Sequence, residues 1–204
     1  MKALVTGGTR GIGAAICAEL ERIGNRCTTF SRKFGYDATK PEDRKRIKDM
    51  NGQCDILIHN VGGGGRFGSN EEVMAKNVEA MIDFTQWALD GMLQRGWGRV
   101  VAISSIHGRE YGSRAVFMAA KAAQIAYMKG CSRQWARYGV TFNTVCPGNV
   151  EVEGKPKVDE EALPMGRMGK PEEVAKLVAF LCSEDAAWIN GASIVIDGGE
   201  SHAL

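Results

Sequence analysis

The segment Thr6 to Gly13 reads TGGTRGIG, set between the apolar run ALVT and an amphipathic stretch from Ile12 to Ile23 that Gly24 closes. Glycines at 7, 11 and 13 permit a tight turn and let backbone N–H groups approach an anion at the positive end of the following helix. The chemistry this spacing predicts is the binding of a pyrophosphate. Farther along, the apolar run RVVAISS ends on Ser105, and His107 follows two residues later on the same side of an extended segment. Imidazole titrates near neutrality, which makes His107 a candidate to move a proton beside that hydroxyl. The six cysteines, Cys17, Cys27, Cys54, Cys131, Cys146 and Cys182, contain no CxxC pair. Most sit in apolar runs, the pattern of buried thiols in a reducing compartment, and no metal site or disulfide framework is suggested.

These residues need a scaffold, and the hydrophobic pattern supplies one. Short apolar runs at Ala3 to Thr6, Arg26 to Phe30, Asp55 to His59, Arg99 to Ser105, Val140 to Val145 and Ile194 to Ile196 read as strands. Between them lie helical patterns. Thr39 and Glu42 have capping-box spacing before DRKRIK, and Ser69 and Glu72 repeat it before a long helix to about Gln94, after the turn NVGGGG. Another helix is predicted from about Arg114 to Tyr138 with Gly139 as its stop, and a last one from Pro171 to Cys182. Asn149 to Leu163 is polar and punctuated by Gly and Pro, so it reads as a loop. Strands alternating with helices, some nearly all apolar, predict an α/β fold: a doubly wound parallel sheet covered on both faces.

Length and charge narrow the function. With 204 residues, 44% hydrophobic and 25% charged, the chain has the makings of a single globular domain over residues 1–204. Lys and Arg number 26 against 24 Asp and Glu, a net charge of +2 that disfavours a nucleic-acid partner. No apolar stretch approaches the ~20 residues needed to cross a bilayer. A soluble, cytoplasmic protein without a membrane partner is the expectation.

TGGTRGIG resembles the TGxxxGxG fingerprint of the short-chain dehydrogenase/reductase family, HNVGG (59–63) its NNAG motif, and SSIHG (104–108) its catalytic-serine segment. Asn77 in AKNVEA, Lys121 in FMAAK, the PG at 147 and 148, GRMGKPEEVA (166–175) and IDGG (196–199) follow in the family's order, so the resemblance covers nearly the whole chain. The likeness is greatest to 3-oxoacyl-acyl-carrier-protein reductases. It implies a Rossmann fold, a nicotinamide dinucleotide cofactor and a small-molecule carbonyl or alcohol substrate. It further implies a cofactor site built from Gly7, Thr9, Arg10, Gly11, Ile12, Gly13, Ser31, Arg32, Asp37, Ala38, Asn60, Val61, Gly62, Lys121, Pro147, Gly148 and Val150. Asp37 corresponds to the family's aspartate at the adenine amino group. An acidic residue after the second strand would suit the ribose hydroxyl of NAD. The sequence here reads Ser31-Arg32-Lys33, so Arg32 and Arg10 predict a clamp on the 2′-phosphate of NADP.

In the family a tyrosine moves the proton, a lysine holds the nicotinamide ribose and tunes the tyrosine, a serine orients the carbonyl oxygen, and an asparagine anchors a relay water. Ser105, Lys121 and Asn77 match, but the YxxxK tyrosine is Phe117, which has no ionisable group. Three explanations stand: an engineered knockout, a natural variant in which His107 or Tyr111 supplies the proton, or a protein that binds the nucleotide without turnover. His59 reads as structural and His202 as a tail residue. Val152 replaces a threonine that in the family contacts the nicotinamide end. The chain is also short between Arg32 and Asp55, implying a vestigial edge strand around Phe34 to Asp37, and short in the 149–163 loop, implying a small lid over an open pocket. Ala115, Ala119, Ala122 and Ala126 recur at helical spacing. They suggest a helix face for a partner subunit in a homodimer or D₂ homotetramer. The reading is an NADP(H)-dependent reductase of a ketone or aldehyde; the alternative is a non-catalytic NADP(H)-binding or scaffold protein.

Overall fold

The structure, a computed structural model, describes residues 1–63, 68–154 and 158–203. Gly64 and Gly65 of the NVGGGG turn and residues 155–157 of the predicted loop lie outside them. In chain order the elements are β1 (Lys2–Thr6), α1 (Gly11–Arg22), β2 (Arg26–Phe30), α2 (Pro41–Asn51), β3 (Ile56–His59), α3 (Asn70–Met74), α4 (Ala80–Arg95), β4 (Gly98–Ile103), α5 (Ala115–Trp135), β5 (Val140–Pro147), α6 (Pro171–Leu181) and β6 (Ser193–Ile196). The strands form one parallel sheet in the order β2-β1-β3-β4-β5-β6. The chain runs outward from β1 to β2, then crosses back to lay β3 on the other side of β1. That reversal opens a crevice at the C-terminal ends of β1 and β3, the usual ligand position of a doubly wound sheet.

Both sheet faces are buried, which is why the strands carry little polar alternation. Ala3 and Val5 of β1, Ile56 and Ile58 of β3 and Val101 and Ile103 of β4 pack with Ile16 and Leu20 of α1 and Val174 and Val178 of α6. The intervening Leu4, Leu57, Val100 and Phe142 pack on the opposite face with Ile47, Phe84, Met92 and Met128.

The structure corrects four expectations. No strand forms at Phe34 to Asp37; residues Arg32–Phe34 make one 3₁₀ turn, and β2 is the edge of the sheet. The short connection leaves too few residues for a crossover before α2. Helix α2 starts at Pro41 with Lys40 at its N-cap, because Thr39 turns its hydroxyl to Asp37 Oδ1 (2.8 Å). The long helix after Ser69 is broken by a π turn, Ala75–Glu79, between α3 and α4. The loop after β5 contains a 3₁₀ turn, Glu160–Ala162. Ser69 does cap its helix, accepting from Glu72 N at 3.1 Å.

One threonine joins the two strand ends at the crevice. Thr6 Oγ1, on a side chain almost out of water, accepts from both Asn60 N and Val61 N at 2.9 Å. Thr6→Val removes the acceptor and keeps the shape, leaving two donors unpaired. Urea denaturation is expected to show a loss of about 1–3 kcal/mol, with Thr6→Ser retaining most of the parent's stability; a loss equally large for the serine variant would contradict this role.

Candidate active site

At the first side of the crevice the glycine-rich turn approaches the strand end after β3. Gly7 lies in the left-handed region (φ 68°), and a methyl on Gly13 would meet Asn60 Nδ2 and stand 2.5 Å from Gly7 O. Asn60 Nδ2 donates to the Thr6 and Gly7 carbonyls (3.1 and 3.0 Å), fixing the turn against that strand end. Arg10 is the N-cap of α1, makes no capping bond, and no acidic residue occupies the first turn. Among the described residues the N–H groups of Gly11, Ile12 and Gly13 therefore keep free hydrogens at a positive helix end, a fit for phosphate oxygens. Val152 closes over this turn: a methyl on Gly11 would stand 2.9 Å from its Cγ1.

At the outer edge, Ser31 accepts from Thr9 Oγ1 (3.0 Å). Arg32 is held by two carboxylates, Asp37 at 2.8 Å and Glu72 at 3.0 Å. Glu72, four residues before Lys76, is a partner that strand-and-turn reasoning misses, since it comes from α3. Asp37 accepts from Thr39 N and Oγ1 through one oxygen and from Arg32 through the other. The Thr39 and Arg32 bonds hold its carboxyl below the usual range, against the opposing effect of burial. Ala38 and Val61 line one small cavity with Thr6 and Lys76.

The other side of the crevice brings together Asn77, Lys121 and Phe117. Asn77 sits in the π turn, fully buried, with Nδ2 donating to Val73 O (2.7 Å) and Gly63 O (3.3 Å). The wider turn leaves its own carbonyl to accept from Gln124 Nε2 at 2.8 Å. Lys121 is only 4% exposed. Its Nζ donates to Ile103 O (2.8 Å) and Gln124 Oε1 (3.1 Å), and lies 5.7 Å from the centre of the Phe117 ring. A methyl on Gly62 would stand 2.6 Å from Asn77 Oδ1 and 3.1 Å from Lys121 Nζ, so strand end, amide and ammonium surround one point. Sequence reasoning misses Gln124; an amide on the buried face one turn beyond Lys121 is the available signal. It also misses Ser104, whose Oγ donates to Lys121 O at 2.9 Å.

Ser105 follows β4 as the N-cap of a 3₁₀ turn, Ile106–Gly108, and its Oγ accepts from His107 N at 3.2 Å. Pro147 ends β5; Gly148 N donates to Ile196 O, and Asn149 is gripped by Glu200 through its backbone N (2.7 Å) and Nδ2 (2.6 Å). Val150 is buried just beyond. Tyr111, by contrast, is 88% exposed and is not packed into the crevice. His202 belongs to the tail, its backbone N donating to Glu110 at 2.8 Å. Among the described residues no group of His, Cys, Asp or Glu side chains is arranged to hold a metal ion.

The chain is similar to known proteins over nearly its whole length. A family model described as enoyl-(acyl carrier protein) reductase matches residues 29–201. An acetoacetyl-CoA reductase of Rhizobium meliloti (strain 1021) is 35% identical, the match covering 98% of each chain. A 3-oxoacyl-[acyl-carrier-protein] reductase of Vibrio cholerae is 33% identical over 97% of this chain and 96% of its own. Among solved structures, a Thermus thermophilus protein superposes with a TM-score of 0.86 at 30% identity, covering 97% of both chains. A short-chain dehydrogenase/reductase mutant of Serratia marcescens gives 0.82 at 29%, over 98% of this chain and 97% of its own.

His59, at the β3 end of the crevice, is buried with Nε2 2.8 Å from Thr85 Oγ1, and desolvation lowers its pKa to about 3. It stays neutral at working pH and is structural. The unfolded chain takes up its proton near pH ~6.5 while the folded one does not, so this residue costs stability as pH falls from about 6.5 toward 3, by up to about 1.4 kcal/mol per unit. Urea midpoints between about pH 7.5 and 5 are expected to fall more steeply for the parent than for His59→Asn; parallel profiles would contradict the assignment.

Proposed function

Because the chain belongs to the short-chain dehydrogenase/reductase family, we propose that it is a single-domain, NADP(H)-dependent oxidoreductase that reversibly reduces a ketone or aldehyde of the 3-oxoacyl thioester kind. The observation that carries this reading is the convergence of Lys121, Asn77 and the strand end at Gly62 on one point beside the glycine-rich turn. The acyl thioester substrate is supported by the names of its acetoacetyl-CoA and 3-oxoacyl relatives.

When bound, a reduced nicotinamide supplies the hydride. The chain's own residues do the rest. The N–H groups at the start of α1 would receive the pyrophosphate, beside the side chain of Val152. Arg32, paired with Asp37 and Glu72, would bind the 2′-phosphate, with Arg10 at the N-cap of α1 as the second cation. Asp37, Ala38 and Val61 would line the place of the adenine. Lys121 would hold the ribose hydroxyls with the ammonium that now donates to Ile103 O and Gln124 Oε1. Ser105 presents its hydroxyl to the carbonyl oxygen. Phe117 keeps the volume of a phenol without its proton, the feature that favours the second reading, a protein that binds NADP(H) without turnover.

The same proposal places the protein in a reducing cytoplasm, for which the six free thiols speak. No helix among the described residues is long and apolar enough to cross a membrane. Ala115, Ala119, Ala122 and Ala126 are exposed, whereas Ala120, Lys121, Gln124 and Met128 face the sheet. That unpacked small-residue face supports a homodimer or homotetramer.

Titration calorimetry is expected to show NADPH binding about tenfold or more tightly than NADH, the worth of a charged hydrogen bond, and Arg32→Asp is expected to erase or reverse the preference. Equal affinities in the parent would contradict the two-arginine reading. Lys121→Ala is expected to weaken NADPH binding by about 1.5–3 kcal/mol, and Lys121→Arg to restore it incompletely because a planar fork cannot replace a compact ammonium. Unchanged affinity for the alanine variant would remove Lys121 from the site.

A further inference from the structure

The reaction needs a proton at the carbonyl oxygen, and the chain's four tyrosines do not supply it. Tyr36 donates to Met50 Sδ, and Tyr138 packs against Trp135 at a tilt. Tyr127 is engaged with Thr85 and Cys131, and burial drives its pKa up. Tyr111 stands in solvent. Of the histidines, His59 is locked neutral against Thr85 and His202 lies exposed in the tail.

His107 is different. The turn that carries it is fixed at both ends to the catalytic frame: His107 N donates to Ser105 Oγ at 3.2 Å, and a methyl on the adjacent Gly108 would stand 2.8 Å from the Lys121 carbonyl carbon. Its ring is seated against Gly112, where a side chain would collide with Cε1 (2.5 Å) and Nδ1 (2.7 Å). Among the described residues, Nδ1 is the one buried side-chain nitrogen or oxygen without a hydrogen-bond partner. The ring is therefore held in place by shape and is not tied into the scaffold as His59 is. Orphaned buried polar atoms of this kind call for a functional explanation.

We propose that His107 takes over the duty of the absent phenol as the proton donor and acceptor of the reaction. The inference rests on the reductase reading above. In reduction, the carbonyl carbon gains a C–H bond from the hydride pair that the reduced nicotinamide gives up, and the C=O π pair moves onto oxygen. An O–H bond forms there as the Nε2–H bond of the protonated ring breaks, because Nδ1 is shut away under Gly112. The imidazole regains its proton from water, and the reverse sequence oxidises the alcohol. Ser105 orients the oxygen between the two, and Lys121 keeps its hold on the ribose.

The test uses the full chain with NADPH and acetoacetyl-CoA as the probe. His107→Ala is expected to lower turnover by about 10²–10⁴-fold while leaving NADPH affinity within about threefold. Free imidazole in the assay is expected to restore part of the lost rate, and adding Phe117→Tyr to His107→Ala to restore more, while His202→Ala changes nothing. Full activity in His107→Ala overturns the proposal and leaves the reductase reading standing. So does a loss that neither imidazole nor Phe117→Tyr relieves, which would mark a merely structural residue. An inert parent that Phe117→Tyr awakens also overturns it while preserving the reductase reading of the frame. If the parent and Phe117→Tyr bind NADPH and are both inert, the reductase reading falls with it.

Discussion

An ammonium group almost out of water has to be surrounded by oxygen atoms, and the arrangement that supplies them to Lys121 organises the rest of the crevice. A buried charge without such partners costs several kcal/mol. Ile103 O, at the end of β4, provides one, and Gln124 Oε1, one helical turn along α5, another. Its amide nitrogen donates in turn to the carbonyl of Asn77, in the π turn. Ser104 ties the backbone of Lys121 back to the strand end. One charge thus couples β4, α5 and the break between α3 and α4, elements far apart in sequence.

The cofactor side follows a complementary rule: there the polar groups left free are the ones a ligand would use. The glycine turn is pulled onto the β3 end by Asn60 and Thr6, and the first N–H groups of α1 have no acceptor among the described residues. Arg32 is pre-set by Asp37 and Glu72 at the rim. The Arg32 side chain is itself 63% exposed, so on the proposed reading a phosphate would reach the guanidinium from solvent. The tail is fastened by carboxylates as well, with Glu200 on Asn149 and Glu110 on the His202 and Ala203 amides.

Much of this is legible in the residues. The nearly unbroken apolar strands mark a sheet buried on both faces, and Leu4 and Val5 do face opposite cores. The glycine spacing places the turn, and the motif order places Asn77, Ser105 and Lys121. What the sequence does not reveal lies in long-range competition. Thr39 reads as a helix cap, but Asp37 captures its hydroxyl, and Pro41 at the first helical position shifts the start of α2. The buried positions Val73, Asn77, Ala80 and Met81 keep an ordinary helical spacing across the π turn, so nothing in VMAKNVEA announces it. Arg32 reads as a phosphate clamp, and only the fold brings Glu72 beside it. The departure at Phe117 is plain from the residues alone, but that His107 is the uncommitted imidazole requires the positions of Gly112 and Thr85.

The central claim is that this crevice transfers hydride although Phe117 carries no proton. Incubating the parent protein with acetoacetyl-CoA and NADPH carrying deuterium at both nicotinamide C4 positions, then weighing the thioester by mass spectrometry, tests it directly. The account predicts a 3-hydroxyacyl product carrying one deuterium on its carbinol carbon. Recovered acetoacetyl-CoA alone, or a reduced product without the label, would contradict it.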